Sequence, residues 1–334
     1  MPNLSIIHAS NTNLTPSTVP QTAIFLGATA GIGKITLTAL IKLGFQFKAY
    51  VIGRKASFPA FRTFAAEMKG VNAKASLIWI EGEVSLLAEA KRVCEEIKKS
   101  ERRVDLLFMS TGYAPLGGRR NTEEGLDISH ALELYTRITF TQNLLPELRA
   151  SPAARVVSVL AGGMETARFL DVGDLTLEKQ AAWFVARTQL HVGMMNTLTL
   201  EKLAEEPENA EIVFIHSHPG IVRTGNLFRG WDEGSWGPWL SAIFFDPILR
   251  LVAISFEESA ERYLYQVTSE AFGGKGPKGG GVVGKTTRGK ESGGLFLVNR
   301  KCDAVANEKE MVKLRAKAGD VVWDTVQGIV RPYI

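Results

Sequence analysis

The stretch Ala23–Leu40, AIFLGATAGIGKITLTAL, limits what the chain can fold into more than any other segment. Ala23–Leu26 is a short apolar run of the kind that forms a buried strand. From Lys34 onward, helix-forming residues run without a breaker until Gly44. Between them lies the turn Gly27-Ala28-Thr29-Ala30-Gly31-Ile32-Gly33. Gly27 allows a tight exit from the strand, Gly31 close approach of a ligand to the backbone, and Gly33 close packing of helix on sheet. A helix starting here points free N–H groups and the positive end of its dipole at whatever lies over the turn, so a pyrophosphate is the natural guest. An ordinary glycine-rich turn with no ligand is the plainer reading. The position of the motif and the residues that follow it argue against that reading.

The rest of the chain repeats the alternation. Phe47–Ile52 reads as a second strand ending at Gly53-Arg54-Lys55. In a βαβ unit of this length, the end of the second strand lies beside an adenosine ribose. An acidic residue there would hold the 2′-hydroxyl of NAD; Arg54 and Lys55 favour the 2′-phosphate of NADP by charge pairing, unless they are two solvated loop cations. Phe61–Lys69 suits a helix and Ser76–Ile80 a third strand, followed by Gly82-Glu83-Val84-Ser85 and an amphipathic helix through Lys98. Asp105–Met109 is a fourth strand running into Ser110-Thr111-Gly112, Leu126–Leu148 a long helix, and Arg155–Leu160 a fifth strand. A helix over Ala181–Glu205, a strand over Ile212–His216 and a last strand over Leu295–Val298 complete the series. Strands alternating with helices over this length imply an α/β fold, a doubly wound, Rossmann-like parallel sheet.

Residues 1–21, rich in Ser, Thr, Asn and Pro, read as a lead-in to a single domain over 22–300, and 301–334 as a C-terminal extension with a helical appendage over Lys309–Gln327. Phe228, Trp231, Trp236 and Trp239 crowd a segment, 225–256, that is expected to close over an apolar small-molecule substrate; a buried packing segment explains them equally well. Ser255-Phe256-Glu257-Glu258 has the form of a capping box. The net charge is only +4, and Lys275, Lys278, Lys285, Arg288 and Lys290 lie among glycines as in a solvated loop, which argues against nucleic acid as a partner. Cys94 and Cys302 are too few for a disulfide framework, and no metal-ligand spacing occurs. No Lys or Arg precedes Lys34 and no run of about 18 apolar residues occurs, so neither a signal peptide nor an integral membrane segment is expected, and the expected location is cytoplasmic.

These motifs, in this order, resemble the short-chain dehydrogenase/reductase superfamily over roughly residues 22–300. Gly27-x-x-x-Gly31-x-Gly33 looks like that family's cofactor turn, which implies contacts from Gly27, Thr29, Ala30, Gly31, Ile32 and Gly33. Glu83-Val84 stands where the family has an Asp-Val pair against the adenine, and Ser110-Thr111-Gly112 where it has Asn-Ala-Gly. Pro219-Gly220-Ile221-Val222-Arg223-Thr224 is similar to its Pro-Gly-x-Val-x-Thr loop beside the nicotinamide, nominating Pro219, Gly220, Val222 and Thr224. The wording VVSVLAGG and HPGIVRTG is similar to a fungal branch found near natural-product pathways. The resemblance implies a seven-stranded sheet, a nicotinamide cofactor and secondary-metabolite chemistry. It also implies a dimer or tetramer, with a homodimer expected through helices corresponding to Leu126–Leu148 and Ala181–Glu205.

The family's chemistry uses a Tyr to exchange a proton and a Lys four residues on to lower the Tyr pKa. No Tyr occurs between Gly163 and Pro219. Alignment on Leu198–Ala204 puts Phe184 and Thr188 at those two positions; a slip of one residue gives Trp183 and Arg187. Ala161 takes the place of the supporting serine, with Ser158 at a usual Asn, and Glu133 replaces the helix Asn. The non-standard catalytic candidates are therefore Tyr135 as a proton donor, Glu133 as an acid or base if burial raises its pKa, and Thr188. A core-edge aromatic and a solvated carboxylate are the plainer roles for the first two. His191 reads as a buried structural residue, and His216 and His218 flank the cofactor loop. The expected function is an NADP-dependent oxidoreductase acting on a carbonyl or alcohol of an apolar substrate. Non-redox cyclisation, isomerisation or elimination on the same fold, and a catalytically silent binding module, are the alternatives.

Overall fold

The computed structural model describes residues 2–113, 118–179, 185–222, 253–274, 276 and 283–334. Seven strands form one sheet: β1 (Thr22–Leu26), β2 (Phe47–Gly53), β3 (Ala75–Glu81), β4 (Leu106–Met109), β5 (Arg155–Val159), β6 (Val213–Ser217) and β7 (Gly294–Val298). Their order is β3-β2-β1-β4-β5-β6-β7 and every pairing is parallel. Strands β4 to β7 are buried along their whole length, as apolar runs must be when helices cover both faces. The order reverses between β1 and β4, so the carboxyl ends of these two strands open the crevice where ligands bind in such sheets. The expected doubly wound α/β architecture is the one observed.

Helices α1 (Leu4–Thr12), α2 (Gly31–Lys42) and α3 (Phe58–Val71) lie on one face together with α9 (Phe256–Thr268). On the other lie α4 (Leu87–Ser100), the segmented helix α5 (Ile128–His130), α6 (Thr136–Asn143), α7 (Leu145–Arg149), then α8 (Val185–Ala204) and α10 (Glu308–Val330). Three features depart from the pattern read in the sequence. The long helix expected over Leu126–Leu148 is interrupted by a wider, π-helical turn at Ala131–Tyr135 and again at Leu144, where Pro146 opens α7. The first 21 residues contain α1, whose Asn3 cap accepts from Ile6 N; Ile7 is buried, and Asn11 Nδ2 donates to the Glu261 carbonyl (2.9 Å) and carboxylate (2.7 Å) on α9. Helix α10 carries Met311, Leu314, Ala318, Val322, Val326 and Val330 into the main core, so it completes a layer of the domain. It lies against α8, with Arg315 forked onto Glu201 (2.8 and 2.7 Å), and reaches α6 through Gln327–Gln142. It thus covers part of the two helices on which pairing between copies was expected.

Ser255 caps α9 by accepting from Glu258 N at 3.1 Å. Of the expected lid, residues 225–252 lie outside the described residues, as do Phe184, Trp183 and Thr224; Ile254 pairs with Val222 in a single parallel bridge. Among the described residues no helix is long and apolar enough to cross a membrane, and no His, Cys, Asp and Glu cluster could hold a metal ion.

Candidate active site

The glycine turn brings three backbones together. Gly27 has φ +92°, and a Cβ there would lie 2.8 Å from Thr111 N and 2.9 Å from Ser110 C. A Cβ on Gly33 would lie 2.7 Å from Gly27 O and 2.8 Å from Ser110 Oγ. Only glycine therefore lets the end of β1, the start of α2 and the end of β4 converge. The N-cap of α2, Ala30, offers no side-chain acceptor, so the first N–H groups of the helix remain available to an anion over the turn.

Beyond β2 and β3 an open cavity of about 560 Å³ is lined by Arg54, Lys55, Trp79, Glu83 and Arg92, among others. Arg92 is neutralised by Glu89 (2.9 Å) and Glu96 (3.0 Å). Among the described residues Arg54 and Lys55 have no ion-pair partner, which leaves them as the free positive charges of this cavity. Glu83 accepts from Ser85 Oγ at 2.8 Å, and the Val84 carbonyl accepts from Thr136 Oγ1. Thr29 approaches Gly53, where a Cβ would meet its methyl at 2.9 Å. The nominated residues from Gly27 to Gly112 thus gather along the carboxyl ends of β1 to β4. Pro219, Gly220 and Val222 follow β6, with Gly220 at φ +68°.

Glu133 sits in the π-helical turn and is 2 % exposed. Its Oε2 accepts from Gln189 Nε2 of α8 at 2.8 Å, and a Cβ on Gly112 would lie 2.5 Å from its Oε1. Burial pushes its pKa up to about 8, against the opposing charge of Arg137 and the Gln189 hydrogen bond, so it carries a proton at neutral pH. Tyr135, two residues on, lies in the apolar cluster beneath α4, α6 and α8; its hydroxyl has no partner among the described residues and burial raises its pKa. Thr188 is buried on the first turn of α8, its Oγ1 also without a partner among the described residues, whereas Arg187 is exposed. Glu133 meets α8 through Gln189, the neighbour of Thr188, and the Tyr135 hydroxyl has no part in that contact.

Sequence reasoning passed over a buried polar network at the centre of this face. Arg137 is 1 % exposed and donates to the carbonyls of Thr111 (2.6 Å) and Val159 (3.0 Å) and to Ser158 Oγ (2.7 Å). Ser158 in turn donates to Asn196 Oδ1 (3.1 Å), and Asn196 Nδ2 donates to the Glu133 carbonyl (2.7 Å). Burial lowers the Arg137 pKa to about 10, and it remains a cation. Behind Ala161, His216 Nε2 accepts from Ala161 N (3.2 Å) and its Nδ1 lies 2.7 Å from Thr197 Oγ1, which donates to Glu165 (2.7 Å). Burial drives the two titrating groups apart, with His216 down to about 3 and Glu165 up to about 7. His191 is structural as expected: it accepts from Asp171 N and its Nε2 lies 3.1 Å from the Leu175 carbonyl.

A second omission is the pair Asp127 and His130. Asp127 caps α5 and lies 3.0 Å from His130 Nδ1. Burial works to raise its pKa, and the hydrogen bonds from His130 and Ser129 outweigh this and hold it low. The sequence signal was available, an Asp three residues before a His at a helix start.

A family model described as "short chain dehydrogenase" matches residues 21–169. The chain is 32 % identical over 330 residues to the NmrA-like family domain-containing oxidoreductase notO of Aspergillus sp., covering 98 % of this chain and 95 % of the relative. It is 32 % identical over 339 residues to Oxidoreductase AN1596 of Emericella nidulans, covering 99 % and 98 %. Among solved structures, an NADPH-bound carbonyl reductase from chicken fatty liver superposes with a TM-score of 0.53 at 16 % identity, over 86 % of this chain and all of that one.

Proposed function

The chain belongs to the short-chain dehydrogenase family, and we propose that it is an NADP-dependent oxidoreductase that interconverts a carbonyl and an alcohol on an apolar, secondary-metabolite-type substrate. The observation that carries the reading is the cradle of Gly27, Gly33 and the uncapped α2, which leads directly to the cavity of Arg54 and Lys55. The residues present fit the cofactor: the α2 N–H groups suit a pyrophosphate, and two unpaired cations suit a 2′-phosphate better than a hydroxyl. When bound, the nicotinamide supplies or accepts hydride. Glu83 and Val84 would flank the adenine, and Pro219, Gly220, Val222 and Thr224 the nicotinamide. Glu133, protonated and clasped between Gly112 and Gln189, would hold the loop after β4 in register with α8.

The test is binding of NADPH and NADH by calorimetry to the full chain and to Arg54→Ala. A charge-assisted contact is worth about 1.5–3 kcal/mol, so roughly a 10- to 150-fold loss is expected for NADPH with little change for NADH. Equal losses would remove the NADP preference. Non-redox catalysis is the second reading, favoured by the absence of tyrosine between Gly163 and Pro219. A folded protein that binds neither dinucleotide would shift the assignment to it.

A further inference from the structure

The buried polar frame around Arg137 converges on one short segment, the exit from β4. Arg137 donates to the Thr111 carbonyl (2.6 Å), and Thr111 Oγ1 donates to the Leu132 carbonyl (3.1 Å). On its other side the same backbone meets the cofactor turn, where a Cβ on Gly27 would lie 2.8 Å from Thr111 N. Gly112, at φ +146°, closes on Glu133, whose carboxyl accepts from Tyr113 N. Tyr113 is thus held at the carboxyl end of β4, where the strand order reverses, by a backbone pinned on both sides. A reacting side chain needs rigid support of this kind.

Of the six tyrosines of the chain, Tyr50, Tyr135, Tyr263 and Tyr265 are buried in the cores and Tyr333 lies at the C-terminus. That leaves Tyr113, half-buried beside the crevice between β1 and β4. Its hydroxyl accepts from Arg120 Nη2 at 3.3 Å, and the Arg120 guanidinium lies 5.6 Å from the centre of its ring. The hydrogen of the phenol itself has no acceptor among the described residues. Burial raises the Tyr113 pKa, and the hydrogen bond and charge of Arg120 oppose the rise. At neutral pH the side chain is therefore a protonated donor with a permanent cation against its oxygen. The other titratable groups on this edge are engaged. His216 uses both ring nitrogens, and Glu133 is held by Gln189 and Tyr113 N. His218, kept neutral by burial, faces the Leu160 carbonyl through Nδ1 at 3.4 Å.

We propose that the Tyr113 hydroxyl exchanges the proton with the reacting oxygen of the substrate, and that Arg120 acts through it as a positioning residue. The proposal rests on the oxidoreductase reading above. In the reducing direction the carbonyl carbon gains two electrons as hydride from a reduced nicotinamide, which is itself oxidised. The π pair of the C=O bond moves onto oxygen. The O–H bond of Tyr113 breaks, its proton going to that oxygen and its electron pair staying on the phenolate. Arg120 faces the phenolate with the opposite charge until a proton from solvent restores the phenol; oxidation of an alcohol runs the same steps backwards.

The experiment compares the full chain as wild type, Tyr113→Phe, Arg120→Met and Arg120→Lys. NADPH oxidation is followed with a panel of aryl ketones. Tyrosine nitration by tetranitromethane, which attacks the phenolate, is mapped by mass spectrometry with and without NADP and benzyl alcohol. Tyr113→Phe is expected to lower kcat roughly 10²- to 10⁴-fold while NADPH affinity stays within about two-fold of wild type. Arg120→Met should slow nitration of Tyr113 roughly ten-fold, because a phenol without its cation ionises less, and Arg120→Lys should restore most of the rate. NADP with benzyl alcohol should protect Tyr113, while Tyr333 at the C-terminus reacts as before. Undiminished turnover in Tyr113→Phe, or nitration of Tyr113 that no combination of NADP and benzyl alcohol slows, overturns the proposal. If no ketone is turned over, protection decides alone. A wild type that binds NADPH but leaves Tyr113 unprotected would sink the proposal and keep the NADP reading. One that binds no dinucleotide, yet is protected at Tyr113 by benzyl alcohol alone, would do the reverse.

Discussion

Glu133 gives the sharpest test of the structure, because its burial converts into a pH dependence of stability that one substitution should erase. Its pKa rises from 4.5 to about 8 on folding. The unfolded chain therefore loses this proton near pH 4.5, whereas the folded chain keeps it until about pH 8. Between those values the folded state binds more protons, so stability falls as pH rises, by about 1.4 kcal/mol per pH unit for a group wholly protonated in one state and wholly ionised in the other. Above about pH 8 the contribution is flat. Glu133→Gln removes the titration and keeps the size of the side chain. It also sets an amide against the donors that the carboxyl satisfied, so the variant should be less stable at low pH by a constant amount. The informative quantity is the difference between the two proteins as pH changes. From pH 5.5 to pH 8 the wild type should lose about 3 kcal/mol relative to Glu133→Gln, at the upper bound set by this slope. Urea unfolding followed by circular dichroism at pH 5.5, 7 and 8 resolves such a change. Glu165, whose pKa rises to about 7, adds a fall of the same sign in both proteins and cancels in the comparison. Parallel curves would mean that Glu133 is ionised in the folded state, which would refute the burial argument.

Two further outcomes are expected. Tyr135→Phe removes a buried hydroxyl that has no partner among the described residues, so urea unfolding should show stability unchanged or raised by up to about 1 kcal/mol; turnover abolished with NADPH affinity intact would mark Tyr135 as the proton donor. Deleting residues 308–334 strips Met311, Leu314, Val322, Val326 and Val330 from the core; at about 1.5–3 kcal/mol for each fully buried side chain the loss rivals the whole stability of a domain, so the truncated chain should be recovered unfolded or aggregated, and a soluble, cooperatively melting product would show that α10 is dispensable.

What the sequence disclosed, and what it withheld, divides by distance along the chain. The strands were legible because a strand covered on both faces must be a continuous apolar run, as Leu106–Met109 and Arg155–Val159 are apart from Arg155 and Ser158. The glycine turn was legible because Gly27 and Gly33 answer to backbone geometry within one βα unit. Arg54 and Lys55 could be placed because the length of that unit fixes where β2 ends. The burial of Glu133 was not legible: it depends on Gln189, 56 residues away, and on Gly112 closing over it. Thr197, Glu165 and His216 meet only after β5, α8 and β6 have packed. Helix α10 was legible over Lys309–Gln327 and is observed over Glu308–Val330; its stripe from Met311 to Val330 has the three-to-four-residue spacing of a core-facing helix and packs into the main core. The π-helical turn that carries Glu133 and Tyr135, between the cap at Asp127 and α6, has no local signature at all.

The face of the sheet that carries Ser158 is polar at its centre. Arg137, Ser158 and Asn196 join β4, β5, α6 and α8 through hydrogen bonds of 2.6–3.1 Å. A network of this kind, fully satisfied and shut off from water, makes a rigid frame. A group whose every donor and acceptor is used inside the protein can hold a neighbour in place, but it has nothing left with which to meet a substrate. By that criterion Arg137, Asn196 and His216 are scaffold, and Glu133, bonded to Gln189 and buried against Gly112, packs beside them. His130 and Thr188 differ, since each keeps one buried polar atom without a partner among the described residues. In a buried site the unsatisfied groups are where a ligand regains what folding left unpaired.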